Sequence, residues 1–118
     1  MRDFRKYEVW HKAHDLCLHV YKNIVIHFPA EERFGLASQL RRAAYSVSLN
    51  IVEGCGRNSE KDFVHFLDIA LGSAQELEYC LLLAKDLELI SIDVFKVSFE
   101  NANEIKAKLI NLIKSIRQ

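Results

Sequence analysis

Proline occurs once in this chain, at Pro29, and glycine only four times in 118 residues. A sheet protein of this length needs many more turn residues, so the scarcity points to a few long helices. No run of about 18 uncharged apolar residues occurs, which excludes a membrane-spanning helix. Cysteine is also sparse: Cys17, Cys55 and Cys80 are odd in number and widely spaced. That argues against a disulfide framework and for reduced thiols. The opening residues Met1-Arg2-Asp3-Phe4-Arg5-Lys6 lack the apolar core of a signal peptide, so a cytoplasmic location is expected. Net charge is zero, without the strong basic excess of a dominant nucleic-acid binder.

Apolar residues make up 50% of the chain. That is enough for one folded domain over residues 1–118 and excludes disorder. The spacing predicts four helices. The first runs from about Glu8 to His27, with a core stripe of Val9, Ala13, Leu16, Cys17, Val20 and Ile24, and ends at Pro29. The second begins near Glu31 to Phe34. It stops at Gly54 or Gly56, either of which can take the left-handed closing conformation. Ser59 reads as the N-cap of a third helix, Glu60 to Leu87, with Glu60 and Asp62 in the first turn where the helix dipole favours them. Its seam is Phe63, Leu67, Ala70, Ala74, Leu77, Leu81 and Ala84. Ser91 caps a fourth, Ile92 to Ile116, whose stripe is Phe95, Ser98, Ala102, Ile105, Leu109, Leu112 and Ile116. Four helices with short connections fit an all-α, antiparallel up-down-up-down four-helix bundle.

The second helix is apolar on two sides. Leu36, Leu40, Ala43, Ala44, Val47 and Ile51 share one side at about 100° per residue. Phe34, Ser38, Arg41, Tyr45, Leu49 and Val52 share the other. A polar ribbon that includes Asn50 and Glu53 lies between them. Helix 1 adds Trp10, Leu18, Tyr21 and Val25 away from its core stripe, and helix 3 adds Val64, Leu71 and Leu82. One bundle buries one stripe per helix, and a large leftover apolar face marks an interface. The expected interface set is Trp10, Leu18, Tyr21, Phe34, Tyr45, Leu49 and Val52, in contact with further copies of the chain. The alternatives are partial cover by the chain's own Phe4 to Tyr7, or apolar residues merely scattered over the surface.

Candidate chemistry is thin. His11, Asp15 and His19 follow at i, i+4 and i+8, yet His11 and His19 diverge by about 80° around the axis, which reads as a solvated face rather than a metal site. No metal or cofactor is expected. Asn50 and Glu53 can form a site, bond each other, cap a helix end or bridge subunits. Cys55, beside two glycines, is the most exposed thiol expected. No nucleophile–base spacing and no phosphate loop occur, so no enzyme is expected. Cations are the better signal. Residues 1–58 carry nine Lys/Arg against six Asp/Glu, and residues 59–118 carry seven against ten. Arg41, Arg42, Arg57 and Lys61 group around helix 2 and its end as candidate phosphate contacts, which oligomerisation would multiply. Equally, Arg41 lies within the second stripe, where its stem packs and its head pairs.

The chain resembles the small four helix bundle proteins, also called 23S rRNA intervening sequence proteins or S23 ribosomal proteins. This family is related to the accessory variability protein of diversity-generating retroelements. The resemblance is carried by Arg2-Asp3-Phe4-Arg5-Lys6, by Glu8-Val9-Trp10 with Lys12-Ala13-His14, and by Glu32-Arg33-Phe34-Gly35-Leu36. Further matches are Gln39-Leu40-Arg41-Arg42-Ala43-Ala44 and Asn50-Ile51-Val52-Glu53-Gly54-Cys55-Gly56-Arg57. In helix 3 they are Phe63, Phe66-Leu67, Ile69-Ala70-Leu71-Gly72-Ser73 and Glu76-Leu77-Glu78. The resemblance implies a bundle assembling as a ring-like homopentamer with no enzymatic activity. Some members are encoded inside 23S rRNA gene insertions, and the retroelement relatives bind nucleic acid and a reverse transcriptase. Arg41, Arg42, Asn50, Glu53, Gly54, Gly56 and Arg57 are the matching polar and glycine positions. Two departures stand out: no proline precedes Asn50, and the net charge is zero where the retroelement relatives are strongly basic. Two functions follow as expectations. One is an RNA or ribonucleoprotein binding module, and the other is an adaptor oligomer for a protein partner.

Overall fold

The computed structural model describes residues 1–117, and no strand occurs among them. Four helices carry the fold: α1 (Glu8–His19), α2 (Leu36–Cys55), α3 (Glu60–Asp86) and α4 (Ile92–Arg117). Each packs on two others, α1 on α2 and α4, and α3 on α2 and α4. Cross-helix contacts give the directions. Asp68, Glu78 and Lys85 of α3 meet Arg117, Lys106 and Phe95 of α4 in reverse order. Glu8 and Lys12 of α1 likewise pair with Lys108 and Glu104 of α4. The molecule is a rod of 44 × 23 × 19 Å.

The seam expected on α3 is wholly buried, from Phe63 to Ala84. On α4 the stripe runs true through Ser98, Ala102, Ile105 and Leu109, then passes to Ile113, leaving Leu112 and Ile116 half-buried. A straight helix gains about 20° on a seven-residue repeat, so a strict four-three rhythm loses the core after a few turns. Val64 of α3, expected outside the seam, is buried with it.

Helix boundaries differ at three places. The first helical stretch is α-helical only to His19. A π-helical turn, Val20–Ile24, and a 3-10 turn, Val25–His27, complete it before Pro29. Its core stripe continues through Val20 and Ile24, both buried, while Cys17 lies half-buried at its edge. The second helix starts at Leu36, later than expected, because Gly35 leaves helical geometry (φ −103°, ψ −116°) after a 3-10 turn at Ala30–Glu32. Its closing glycines also behave otherwise. Gly56 is right-handed at φ −81°. Gly54 lies inside the helix, where a Cβ would sit 3.0 Å from Phe66 Cβ and 3.2 Å from the Phe63 carbonyl oxygen. Close approach of α2 to α3, rather than backbone freedom, therefore calls for glycine at 54. The exposed carbonyls at this end are met by Arg2. Its backbone N–H donates to the Cys55 carbonyl at 3.0 Å, and its guanidinium donates to the Arg57 carbonyl at 3.3 Å.

The left-handed cap appears instead at the end of α3. Glu88 has φ 61°, with Leu89 N–H donating to the Ala84 carbonyl and Glu88 N–H to that of Lys85. This is the Schellman arrangement, which prefers glycine because a side chain at positive φ is strained. Glu88→Gly should raise stability by about 1 kcal/mol, read as a shift of the urea midpoint at constant m-value. Ser59 and Ser91 cap α3 and α4, accepting from the N–H groups of Asp62 and Val94 at 3.1 Å each. Gly72, in mid-α3, is the opposite of Gly54. A Cβ there would meet nothing within 4 Å. Glycine within an exposed helix costs about 1 kcal/mol relative to alanine, and no contact inside the chain offsets that cost.

Candidate functional site

The residues of the expected interface divide into three groups. Tyr45 and Leu49, one turn apart on α2, are 42% and 55% exposed, and Leu18 and Tyr21 of the first helical stretch are comparably open. Phe34 is 87% exposed. It does not continue the α2 stripe, however, because the break at Gly35 places it in the preceding turn, under the Arg33 guanidinium. Trp10 and Val52 are half-buried by the N-terminal segment. The Phe4 ring lies tilted 4.7 Å from Trp10, and His14 stacks flat on Trp10 at 4.9 Å. Residues 1–5 line a cleft with Val52 and Gly56. The chain's own N-terminus thus covers one end of the flank and leaves the middle open.

The polar ribbon is a set of local bonds. Asn50 donates its amide to the Ser46 carbonyl (2.8 Å) and hydroxyl (3.1 Å), and Ser46 shares a 2.8 Å hydrogen bond with Ser73 of α3. Glu53 reaches forward to Arg57 at 2.8 Å. Asn50 and Glu53 therefore do not bond each other. Each faces along the helix in an opposite direction.

The cations do not form a single group. Fifteen or sixteen residues of helix separate Arg41 and Arg42 from Arg57, about 24 Å at 1.5 Å per residue. Near the start of α2, Arg41 donates to the Arg33 carbonyl at 3.2 Å. At the far end, Arg57 pairs with Glu53 and lies over the Phe66 ring at 4.7 Å. Arg2 lies over Phe63 at 4.2 Å, and Lys61 is exposed in the first turn of α3. Arg2, one of the basic residues of the N-terminus with Arg5 and Lys6, joins Arg57 and Lys61 at this end. Its charge was plain in the sequence, and its place over Phe63 is what only the fold supplies.

Asp3, in the same segment, accepts from the Arg5 backbone N–H and guanidinium, which hold its carboxyl below the usual range. His11 bonds the Arg5 carbonyl at 2.7 Å, and His19 bonds Asn23. No group of three His, Cys, Asp or Glu suited to a metal occurs among the described residues. Cys55, expected to be the most exposed thiol, is 1% exposed beneath the N-terminal segment, whereas Cys17 is only half-buried. Burial pushes all three thiols above their ordinary value of 9.0. At about pH 7.5 iodoacetamide should therefore label Cys17 first, with Cys55 and Cys80 protected until the fold opens, as mass spectrometry of timed samples would show. Above about pH 9 the unfolded chain ionises its thiols before the folded one, so stability should fall there.

Fold and flank together define an all-α protein of four packed helices with an uncovered apolar surface on the first two. The chain belongs to the 23S rRNA-intervening sequence protein family, whose model matches residues 5–111. Among solved structures it is similar to a protein of unknown function from the S23 ribosomal protein family of Bacteroides thetaiotaomicron. The two are 30% identical with a TM-score of 0.83, over 90% of this chain and 95% of that one. No curated protein matches. No helix among the described residues is long and apolar enough to cross a membrane.

Proposed function

We propose that this protein is a non-enzymatic homo-oligomer, a pentamer by family resemblance, that acts in the cytoplasm as a binding module for RNA or a ribonucleoprotein. The observation that carries the oligomer is the open middle of the flank, Tyr45 and Leu49 beside Leu18 and Tyr21. Leaving such side chains half in water forgoes about 1 kcal/mol each, roughly half the value of full burial. Light scattering should give a mass several times the 13.7 kDa of one chain. A stable single-chain species at working concentration would overturn the reading.

The RNA contacts belong at the end of the rod that carries Arg57 and Lys61, with Arg2 beside them. Repeating this end around an assembly adds phosphate contacts that one chain lacks, and affinity grows with their number. Arg41 and Arg42, two dozen ångströms away, flank the apolar surface instead. Anisotropy titration with 23S rRNA fragments should show binding that weakens steeply with salt. No binding at about 50 mM salt would exclude the RNA role. Zero net charge favours a second reading, an adaptor oligomer for a protein partner. Recovery of a defined protein partner after nuclease treatment supports that reading over the first.

A further inference from the structure

We infer that the α1/α2 flank of one copy is received by the outer face of α3 of the next, with Tyr45 seated at Gly72 and Arg41 beside Glu76. The inference rests on the homo-oligomer proposed above and assigns the two unlike surfaces that meet.

Four observations carry it. The first is charge. The half of the chain that forms α1 and α2 has three more cations than anions, and the half that forms α3 and α4 has three more anions than cations. A flank-to-flank contact between two copies of α2 with parallel rods would set Arg41 and Arg42 against themselves. Contact of the first half with the second half sets opposite charges together and disfavours the symmetric pairing.

The second is Gly72. It lies on the outer side of α3, near exposed Glu76 and Tyr79, and has open space where a Cβ would be. No atom among the described residues fills that space. An aromatic ring from outside can lie over the bare backbone there, and close helix approach is a common reason to keep glycine in mid-helix.

The third is height. Ser46 of α2 and Ser73 of α3 touch, so residues 45 and 74 stand level along the rod. Rotation about an axis parallel to the rod leaves height unchanged. Tyr45 of one copy therefore meets its neighbour between Gly72 and Glu76, and Arg41 falls within a turn of Glu76. No sliding of one copy past the other is required.

The fourth is that Glu76 makes no ion pair among the described residues, and that Arg41 is bonded only to a carbonyl. Both retain charge to offer a partner.

The test uses two surface variants of the whole chain. Leu18→Asp with Tyr45→Asp blocks the giving face, and Gly72→Arg with Glu76→Arg blocks the receiving face. Each alone should scatter as a single chain with unchanged helical circular dichroism. An equimolar mixture retains one sound junction and should form a 1:1 pair of twice the single-chain mass. If the receiving-face variant still assembles as the wild type does, or if the mixture stays single-chain, the inference is overturned while the homo-oligomer stands. A single-chain wild type removes both. A second measurement does not depend on the bulky substitutions. In a Cys17→Ala background, oxidising a mixture of Tyr45→Cys and Gly72→Cys copies should give a disulfide dimer that neither copy gives alone. Self-linking of Tyr45→Cys copies would establish the symmetric α2 contact in its place.

Discussion

Replacing Tyr45 and Leu49 together by Asp is expected to dissociate the proposed homo-oligomer to single chains while leaving the fold intact. Both side chains are about half exposed in the isolated chain. Losing them costs the folded chain little, since surface substitutions away from special features stay within about 0.5 kcal/mol. In an interface the same positions would be dry, and two uncompensated carboxylates there oppose association strongly. Association should weaken by about 100-fold or more, equivalent to about 2.7 kcal/mol. Sedimentation measures the mass and thermal melting followed by circular dichroism measures the fold. An unchanged mass would show that this surface is not where copies meet.

Lys106→Met is expected to be the most damaging single change outside the apolar core. Glu78 of α3 is only 8% exposed, and one of its carboxylate oxygens has no hydrogen-bond partner. The other receives the Lys106 ammonium at 2.9 Å, and Gln75 shares that cation. Removing the lysine leaves a buried carboxylate without a counter-charge, a loss of about 3–5 kcal/mol. Glu78→Leu combined with Lys106→Met should recover most of it, because a well-packed apolar pair replaces an ion pair that was costly to desolvate. Urea unfolding of the single and double variants measures the difference. A double variant as weak as the single one would place the lysine's value in its methylene packing instead.

The four helices were legible because burial imposes a period, and Phe63 to Ala84 keep it without interruption. Caps were legible at Ser59 and Ser91 because a hydroxyl bonding three residues ahead is a local event. Boundaries were not legible where long-range contact decides them. The sequence around Gly54, Cys55 and Gly56 looks like a helix stop with freedom to turn left. The fold uses Gly54 for clearance beneath Phe63 and Phe66, and Arg2, more than fifty residues earlier, bonds the Cys55 carbonyl. Cys55 looked exposed for the same reason: the segment that covers it is remote in sequence. Glu88 shows the converse, a left-handed position held by a residue whose type does not announce it. The apolar flank was legible as surplus, since one bundle cannot bury two stripes of one helix. How the N-terminus would divide it was not, because that depends on Phe4 reaching Trp10. The cations were legible as charges, but their spacing in three dimensions needed the length of α2.

The N-terminal segment and the last turn of α4 both lie against the first turns of α3, Arg2 over Phe63 and Arg117 on Asp68. Arg57 and Lys61 share that end, while the turns 30–35 and 87–91 occupy the other. Rods of this kind standing side by side give an object with two unlike rims. One rim gathers every copy's Arg2, Arg57 and Arg117, and the other gathers the two connecting turns with Arg33 and Lys85. A partner that recognises the particular grouping of Arg2, Arg57 and Lys61 would dock on one rim only, so such an assembly has a direction.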